Sequence, residues 1–340
     1  MDPPGGMVIA NDRLLALLAA FAGRRIVVIG DVIADEFIYG QIARVSREAP
    51  VLILNYDSTE VVPGGAGNAA SNVAALGGTV AAVGVVGRDE SGRRLLATMR
   101  RRRIDVRRMV IPSGYRTPTK TRILAGGIHS AKQQVVRIDR AATTAVDNPV
   151  RDLFEDRVLT AAAGCDALLV SDYGTGLVSP ALVAAARARM RKPLVLVDSR
   201  YDMLRYKGMS ACTPNESEVE QALGIAIGDD VRALERAGRA VLARTRSRAV
   251  LITRGSRGMA LFQPGARTVH IPIVGSDQIA DVTGAGDTVI ATMTLALAAG
   301  AAFEEAAHLA NHAGGIVVMK RGTATVTSAE LAASLAGRME

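Results

Sequence analysis

Tryptophan is absent from this chain of 340 residues, and aromatic residues make up only 3% of it. Proteins that bind single-stranded nucleic acid stack the bases on aromatic side chains, and this sequence has few residues for such a surface. The densest basic run, residues 100–103 with Arg107 and Arg108, contains no aromatic residue and is interpreted as the solvated end of a helix. We therefore expect no nucleic-acid partner, although the formal net charge is +8.

Cysteine and long apolar runs are also scarce. Cys165 and Cys212 stand apart without a metal-ligand spacing, as is typical of proteins in a reducing compartment. The apolar run at 14–22 follows Asn11 and Asp12, which can cap a helix, and no basic segment of a signal peptide precedes it. No apolar run is long enough to span a bilayer. The sequence thus predicts a cytoplasmic protein without a membrane partner.

Several common ligand motifs are missing or incomplete. No G-x-x-x-x-G-K-[ST] motif occurs, which excludes a Walker-type nucleotide site. The segment 65–70 nearly fits the dinucleotide fingerprint, but Pro63 weakens the strand that should precede it. His308 and His312 have a zinc-like spacing with no third ligand of obvious spacing, so we expect no zinc site there.

What the sequence does contain is an alternation of strands and helices. Hydrophobic residues make up 49% and the mean hydropathy is +0.21, as in a globular protein. Short β-branched runs, for example at 26–29, 167–170 and 249–253, alternate with helical patterns. This predicts an α/β fold whose mostly parallel sheet is covered by helices on both faces. We expect a single domain over residues 1–340.

Two β-rich segments, at about 35–62 and 114–140, interrupt the alternation. They are predicted to pair as a small separate sheet over the strand ends, which would act as a lid, as a dimer surface, or as both. Basic residues lie in or beside these segments: Arg44, Arg47, Lys120, Arg122 and Arg137. Such groups either hold a phosphate on the substrate or form an ordinary solvated surface.

The segment Asp-Val-Thr-Gly-Ala-Gly-Asp at 281–287 precedes an apolar helical run. Gly284 and Gly286 allow a tight turn, and the first amides of the helix form an anion site. A carboxylate inside an anion site repels the anion, which is useful if Asp287 takes a proton from a hydroxyl that attacks phosphate. We interpret Asp287 as the general base of phosphoryl transfer; the alternative is that it only caps the helix.

Other strand ends and helix starts carry further candidates. Asp31 follows the strand at 26–29, where parallel sheets bind ligands, unless it is only a turn residue. Asn68, after a glycine-rich turn, can bind hydroxyls as donor and acceptor. Asn215 and Glu218 can hold Mg²⁺ through waters at a helix start, or form a capping box. The glycine-containing segment 253–258 either wraps phosphates or is a hairpin turn.

These motifs resemble those of ribokinase-like (PfkB-type) sugar kinases. The similarity lies in Gly-Gly-x-Gly-Asn at 64–68, Asn-x-x-Glu at 215–218 and Asp-x-Thr-Gly-Ala-Gly-Asp at 281–287, and it extends over roughly residues 24–335. It implies a ribokinase-like three-layer sandwich with a β-sheet lid and the use of ATP and Mg²⁺. Further segments, at 44–51 and 322–326 among others, are similar to a subgroup that phosphorylates the anomeric hydroxyl of D-glycero-β-D-manno-heptose 7-phosphate for ADP-heptose synthesis.

The resemblance also implies roles for single residues. The base would be Asp287, with an anion hole formed by the amides of Gly284, Ala285, Gly286 and Asp287. The sugar or sugar phosphate would be held by Asp31, Gly64, Gly65, Asn68, Lys120 and Arg137. The nucleotide and its Mg²⁺ would be held by Asn215, Glu218, Thr253, Gly255, Gly258 and Asn311. Asp281 matches a position that often holds a monovalent cation such as K⁺.

The sequence departs from the heptose kinase pattern at two places. Thr175 stands where a lysine is usual, and Ser199-Arg200 stands where Pro-Lys is usual. Lysine and arginine hold anions differently, so another sugar or sugar phosphate remains an alternative acceptor. The chain could also be a sugar-binding regulator without turnover or, more remotely, a dehydrogenase. No His-x-Gly-His-like motif of a nucleotidyltransferase half occurs, and we expect a homodimer that forms through the lid.

Overall fold

Strands and helices alternate along the described residues 9–126, 132–141, 146–275 and 281–337 of this computed structural model. The strands are β1 (Arg25–Gly30), β2 (Val32–Val45), β3 (Leu52–Gly65), β4 (Thr79–Val83), β5 (Thr119–Gly126), β6 (Gln133–Arg140), β7 (Ala167–Asp172), β8 (Val195–Ser199), β9 (Ala211–Cys212), β10 (Ala249–Thr253), β11 (Met259–Phe262) and β12 (Val269–Ile271). The helices are α1 (Asn11–Ala19), α2 (Ala66–Ala75), α3 (Glu90–Arg101), α4 (Asn148–Ala162), α5 (Pro180–Arg189), α6 (Glu216–Leu223), α7 (Val231–Thr245), α8 (Ala285–Ala298), α9 (Phe303–Val318) and α10 (Ser328–Leu335).

The main sheet has the order β12-β11-β10-β9-β8-β7-β1-β4. The six strands from β4 to β10 in this order are parallel, and β11 and β12 run antiparallel at one edge. Strands buried on both faces require continuous apolar runs, and Leu168, Leu169 and Val170 of β7 are all fully buried. The predicted mostly parallel α/β sheet is thus confirmed.

Helices cover both faces of this sheet and complete three layers. One face is covered by helices that include α2, α8 and α9, and its core contains Phe21, Leu95 and Leu309. The opposite face is covered by α4, α5 and α7, with Phe154 and Val241 in its two clusters. Helix α8 packs against β7 and β8, and a Cβ on Gly286 in its first turn would lie 3.9 Å from Asp198 Oδ2 of β8. None of the described helices is both long and apolar enough to cross a membrane.

The lid is a second sheet with the order β3-β2-β5-β6. Its segments pair with each other, as predicted, but the strands are longer than expected: β2 begins at Val32 and β3 continues to Gly65. All eight residues of the edge strand β6 are exposed. Strands that lie partly in solvent on both faces lose the apolar alternation, so the sequence pattern did not mark their ends.

Two local predictions are wrong. Asn11 does not cap α1, because Ala10 occupies the cap position; the Asn11 side chain instead donates to the Leu335 carbonyl at 2.9 Å. Pro63 does not weaken the strand before the glycine turn. It lies within β3 opposite Ala34, and β3 is an edge strand, where proline is tolerated. Because this strand belongs to the lid and pairs antiparallel with β2, the turn after it is not part of a βαβ dinucleotide unit.

Candidate active site

A cleft of about 570 Å³ lies at the carboxyl ends of the parallel strands, under the lid. Its wall includes Asp172 at the end of β7, Asp198 in β8, Thr253 at the end of β10 and Lys120 of the lid strand β5. The chain order of the sheet reverses between β1 and β7, and open α/β sheets bind ligands at such a reversal. The topology therefore brings side chains from distant parts of the sequence to one place.

The structure brings most of the predicted site residues together in this cleft. Those that line it are Lys120, Arg137, Asn215, Glu218, Thr253, Gly255, Gly258, Gly284, Ala285, Gly286, Asp287 and Asn311. The predicted residues outside the lining are Asp31, Gly64, Gly65, Asn68 and Asp281.

Asp287 is a buried carboxylate in the first turn of α8, with only 3% of its surface exposed. Its Oδ2 accepts a hydrogen bond from Asn68 Nδ2 at 2.9 Å, and its Oδ1 accepts one from the Tyr173 hydroxyl at 3.4 Å. Burial raises the pKa of Asp287 to about 7; the Asn68 hydrogen bond opposes this shift, and the negative charge of Asp35 adds to it. Both oxygens are thus held by side chains, and no side-chain cap bond is found at the start of this helix, so the capping interpretation is not supported.

Gly284 makes the close approach of this helix start to Asn68 possible. Its φ of +80° lies in the left-handed region, and a Cβ would lie 2.5 Å from Asn68 Nδ2. The amide of Ala285 donates to the Val282 carbonyl at 3.2 Å. No backbone acceptor in the described part of the chain takes the amides of Gly286 and Asp287, so these two amides are the ones available to an anion.

Asp31 lies directly after β1 but faces a loop. Its Oδ2 accepts a hydrogen bond from the Tyr173 amide at 2.7 Å, and its Oδ1 accepts one from the Thr175 hydroxyl. Burial raises the pKa of Asp31 against these hydrogen bonds. A sugar hydroxyl would have to replace Thr175 to reach this carboxylate, so the arrangement fits the turn interpretation better than the sugar-binding one.

The glycine-rich turn before α2, like Asp31, contacts other side chains of the protein at the positions predicted to bind the sugar. Gly64 is the last but one residue of β3, and a Cβ there would overlap the Asp35 carboxylate, which forms an ion pair with Arg122 at 2.7 Å. Gly65 is likewise buried. Asn68 is fully buried and gives its amide to Asp287. In this structure the turn therefore lies outside the cleft lining and contacts the residues Asp35 and Asp287 instead of open space.

Asn215 and Glu218 form the capping box that was the alternative interpretation. Asn215 Oδ1 accepts from the Glu218 amide at 2.8 Å, and Glu218 Oε2 accepts from the Asn215 amide at 2.9 Å. Both residues also line the cleft, beside Asp198. Burial, together with the charge of Glu218, raises the pKa of Asp198 well above its usual value, and burial raises the pKa of Glu218 as well.

The segment 253–258 joins β10 to β11 as a hairpin, and salt bridges attach it to α6. Glu216 accepts from Arg254 Nε at 2.8 Å and from Arg257 Nη2 at 2.5 Å. At the far end of the cleft, Asn311 Nδ2 donates to the Pro272 carbonyl at 2.7 Å. Apolar and small residues surround that end: Ile273, Val274, Val289, Gly314, Gly315 and Val318.

Four cations line the cleft, and they differ in their partners. Arg122 pairs with Asp35, and Arg137 Nε lies 2.9 Å from Asp139 Oδ1. The salt bridges found among the described residues include none to Lys120 or to Arg200, the fourth cation. Burial lowers the pKa of Lys120, and the nearby positive charge of Arg200 lowers it further.

Sequence reasoning did not single out several of the lining residues as site residues, among them Asp172, Tyr173, Asp198 and Arg200. Asp198 and Tyr173 lie at or just after strand ends, the signal that singled out Asp31. Arg200 was noted only as a departure from a motif.

The predicted residue Asp281 and the histidine pair that was set aside as a zinc site both lie outside the cleft lining. Asp281 Oδ1 accepts from the Thr283 amide at 2.9 Å and Oδ2 from the Gly322 amide at 3.0 Å. Burial alone would raise the pKa of Asp281, but these hydrogen bonds outweigh it and the pKa is lowered. His312 Nδ1 lies 2.8 Å from Ser334 Oγ, and within the described ranges no metal-type cluster of three or more His, Cys, Asp or Glu residues is found.

Comparison with known families decides the class of this site. Residues 24–330 match the pfkB family of carbohydrate kinases. The chain belongs to this family. It is therefore a carbohydrate kinase, a phosphotransferase with a sugar hydroxyl as acceptor, which confirms the family resemblance of the sequence motifs.

Curated relatives are similar to this kinase over most of its length. The bifunctional protein HldE of Geobacter sulfurreducens is 42% identical over 311 residues, which cover 91% of this chain and 62% of that protein. The bifunctional protein HldE of Caulobacter vibrioides is 40% identical over 328 residues, which cover 95% of this chain and 66% of that protein. The chain thus spans about two thirds or less of these relatives.

Solved structures share the fold. The ribokinase of Arabidopsis thaliana, solved with ribose and ATP, has a TM-score of 0.72 at 19% identity and covers 92% of this chain and 99% of its own. Phosphofructokinase-2 of Escherichia coli has a TM-score of 0.75 at 18% identity and covers 93% of this chain and 99% of its own. The predicted ribokinase-like fold is confirmed.

Proposed function

We propose that this kinase transfers the γ-phosphoryl group of ATP to the anomeric hydroxyl of D-glycero-D-manno-heptose 7-phosphate, giving the 1,7-bisphosphate. The observation that carries the proposal is a buried carboxylate, Asp287, beside the amides of a helix start in a cleft that also holds Lys120 and Arg200. A carboxyl group with a pKa of about 7 can accept a proton near neutral pH. The amides of Gly286 and Asp287 would stabilise the negative charge on the transferred phosphoryl group.

The two cations without a salt bridge among the described residues support an acceptor that already carries a phosphate. Lys120 lies on the lid, with its ammonium 5.1 Å from the centre of the Tyr173 ring, and its charge acts on Asp287. Arg200 is close enough to Lys120 to lower its pKa. Two like charges that repel each other in a half-buried cleft are stabilised by an anion between them. We assign the sugar phosphate to these two residues.

The opposite end of the cleft suits ATP. The apolar and small residues around Asn311 would form a slot for adenine, and Gly255 and Gly258 of the hairpin line the same cleft. Asp198 and Glu218 fit a divalent cation such as Mg²⁺, because burial raises the pKa of both carboxyl groups and the charge of Glu218 raises that of Asp198 further, which a positive ion would relieve. Such an ion would neutralise phosphate charge when it is bound.

A monovalent cation at Asp281 is part of the proposal. The carboxylate is held ionised by two backbone amides, which leaves a lone pair on each oxygen for an ion. Kinase activity measured in KCl should exceed activity in an equal concentration of choline chloride. Equal rates would remove the cation from the proposal.

A substrate panel tests the reaction. ATP consumption is measured with heptose 7-phosphate, with fructose 6-phosphate and with unphosphorylated heptose, hexose and pentose, and NMR assigns the phosphorylated position. The expected result is selective turnover of heptose 7-phosphate at the anomeric oxygen. Preference for another phosphorylated sugar would support the kinase activity but change the acceptor. The departures from the heptose kinase pattern at Thr175 and Arg200 would be consistent with that outcome. Turnover of unphosphorylated sugars alone would contradict the phosphate assignment, and no turnover at all would support a non-catalytic regulator.

A further inference from the structure

A chain of hydrogen bonds leads from the C-terminal segment to the base. The Val326 amide donates to Asn72 Oδ1 at 3.3 Å. Asn72 Nδ2 donates to the Asn68 backbone carbonyl at 3.1 Å and to Asn68 Oδ1 at 3.3 Å. Asn68 Nδ2 then donates to Asp287 Oδ2 at 2.9 Å. Asn68 and Asn72 lie one turn apart on α2, and both are fully buried.

Each link of this chain fixes the orientation of the next. A carboxamide can turn its oxygen or its NH₂ group toward a neighbour, and only the NH₂ group stabilises a carboxylate. Asn72 must direct its oxygen to the Val326 amide, so its NH₂ group points to Asn68. Asn68 must then direct its oxygen to Asn72, which leaves its NH₂ group for Asp287. The orientation of Asn68 is thus set by Asn72 at its oxygen, while its NH₂ group also donates a long hydrogen bond to the Gly284 carbonyl at 3.4 Å.

We propose that Asn72 is a positioning residue for the catalytic base: through Asn68 it keeps a hydrogen-bond donor on Asp287 and so keeps this carboxylate oriented and ready to ionise. This inference rests on the proposed phosphoryl transfer. Asn72 itself lies outside the cleft lining and acts only through Asn68. It also connects the base to Val326, in the segment that follows α9.

Other groups around Asp287 also influence its pKa. Asp35 from the lid carries negative charge near Asp287, and Lys120 from the lid carries positive charge. Asp198 from β8 also lies near, and the charge of Asp287 adds to the rise in the pKa of Asp198. The Tyr173 hydroxyl donates to the other carboxylate oxygen. Loss of the Asn68 bond leaves burial and the negative charges less opposed, so the pKa of Asp287 rises and the base ionises only at higher pH.

The test is the pH profile of Asn72→Ala. A hydrogen bond to a charged group is worth about one pKa unit or more, so the acid limb of kcat/KM should move up by about one pH unit. The rate at pH 7 should fall about fivefold, and the rate well above pH 8 should stay near that of the wild type. The KM for ATP should not change, because the chain of bonds does not reach the nucleotide end.

Ser71→Ala is the matched control. Ser71 is also buried on α2, and it also donates to the backbone one turn earlier, to the Gly67 carbonyl at 2.7 Å. This variant should leave the acid limb in place. If Asn72→Ala does not fold, Asn72→Asp keeps the volume and the acceptor for the Val326 amide, and the same shift is expected. An unmoved acid limb in a folded Asn72 variant overturns the proposal.

Failure of the proposed function is recognised separately, with the wild type. If the wild type phosphorylates no sugar of the panel, the proposed reaction is wrong, whatever the variants do. The pH dependence of unfolding by urea then still tests the positioning role, since it needs no turnover. The pH range over which wild-type stability falls should extend about one unit higher in Asn72→Ala, and an unchanged range overturns the role.

Discussion

In the proposed reaction one carboxyl group, that of Asp287, is the base, and replacing it by an amide removes the base while nearly keeping its shape. Asp287→Asn should lower kcat by at least about a hundredfold, the lower end of what a general base contributes. Steady-state kinetics with the best sugar of the panel measures this. A folded variant with near wild-type kcat would contradict the assignment of Asp287 as base.

The same substitution should stabilise the protein at high pH. An unfolded aspartate loses its proton near pH 4, whereas folded Asp287 keeps it until about pH 7. Between these values the folded state binds more protons, so its stability falls as the pH rises. Asparagine avoids this cost. The free energy of unfolding of Asp287→Asn relative to wild type should therefore increase by about 2 kcal/mol from pH 5 to pH 8.

Urea unfolding of both proteins at several pH values measures that difference. A difference that does not depend on pH would mean that the carboxyl group ionises in the folded protein as it does in the unfolded chain.

The residues also show what could be predicted from the sequence. The position of Asp287 at a helix start could be predicted from the sequence, because the glycines before it and the apolar run after it are local signals. The partners of Asp31 and Asn68 could not be predicted. Thr175 and Asp287 are distant from them in the sequence and are brought near only by the order of the strands in the sheet. The local sequence pattern thus identified the residues but not their hydrogen-bond partners.

At the scale of elements, the hairpin 253–258 and helix α6 are held together by one buried carboxylate. Glu216 binds Arg254 and Arg257, with 12% of its side chain exposed. Glu216→Gln removes the charge that keeps the hairpin beside Asn215, at the proposed nucleotide end of the cleft. The KM for ATP should rise about tenfold, a loss of about 1.4 kcal/mol of binding, while the KM for the sugar stays nearly constant.

Glu90→Gln is the control for this prediction. Glu90 forms an ion pair with Arg94 at 2.6 Å on α3, far from the hairpin in the chain, and its side chain is 67% exposed. Exposed pairs contribute little, so neither KM should change. Equal rises of the KM for ATP and for the sugar in Glu216→Gln would point to general loosening of the cleft instead.

The proposed sugar-phosphate end of the cleft includes Lys120 of the lid strand β5. Lys120→Met and Arg200→Met should each raise the KM for the phosphorylated sugar at least about tenfold, as expected for a charge-assisted bond to phosphate. The KM for ATP should change less. Arg205→Gln, whose pair with Asp202 is exposed, is the control. A rise confined to the KM for ATP would mean that these two cations bind the nucleotide and not the sugar phosphate.

The two sheets differ in how far the sequence predicted them. The main sheet was recognised because its strands are continuous apolar runs between helical patterns. The lid was recognised as β-rich, but its strand ends and its pairing of β2 with β5 were not, because that parallel pair is separated by more than 80 residues. Pairing over such a distance is decided by tertiary packing and not by local pattern.

At the scale of the whole molecule, the described residues leave several apolar side chains exposed on the outer face of the lid. Thr121 binds Glu36 on the side away from the cleft, and its neighbour Ile138 on β6 lies on the same side. Ile42, Val136 and Ile138 are exposed to 42%, 44% and 45%. Isolated sheets rarely leave such a face in water, and a second copy of the lid offers a complementary apolar face.

We therefore predict a homodimer that forms through the lid, because each lid would cover the apolar face of the other. Light scattering at working concentration should give twice the mass of the chain, and Ile138→Arg should shift the protein toward monomer, because a buried unpaired charge opposes association. Leu153→Arg on α4, where the leucine is 42% exposed, should leave the dimer intact. A monomeric wild type, or a dimer that tolerates arginine at 138 but not at 153, would place the association elsewhere. Since the same lid carries Lys120 above Asp287, the monomeric variant should also bind the phosphorylated sugar less tightly.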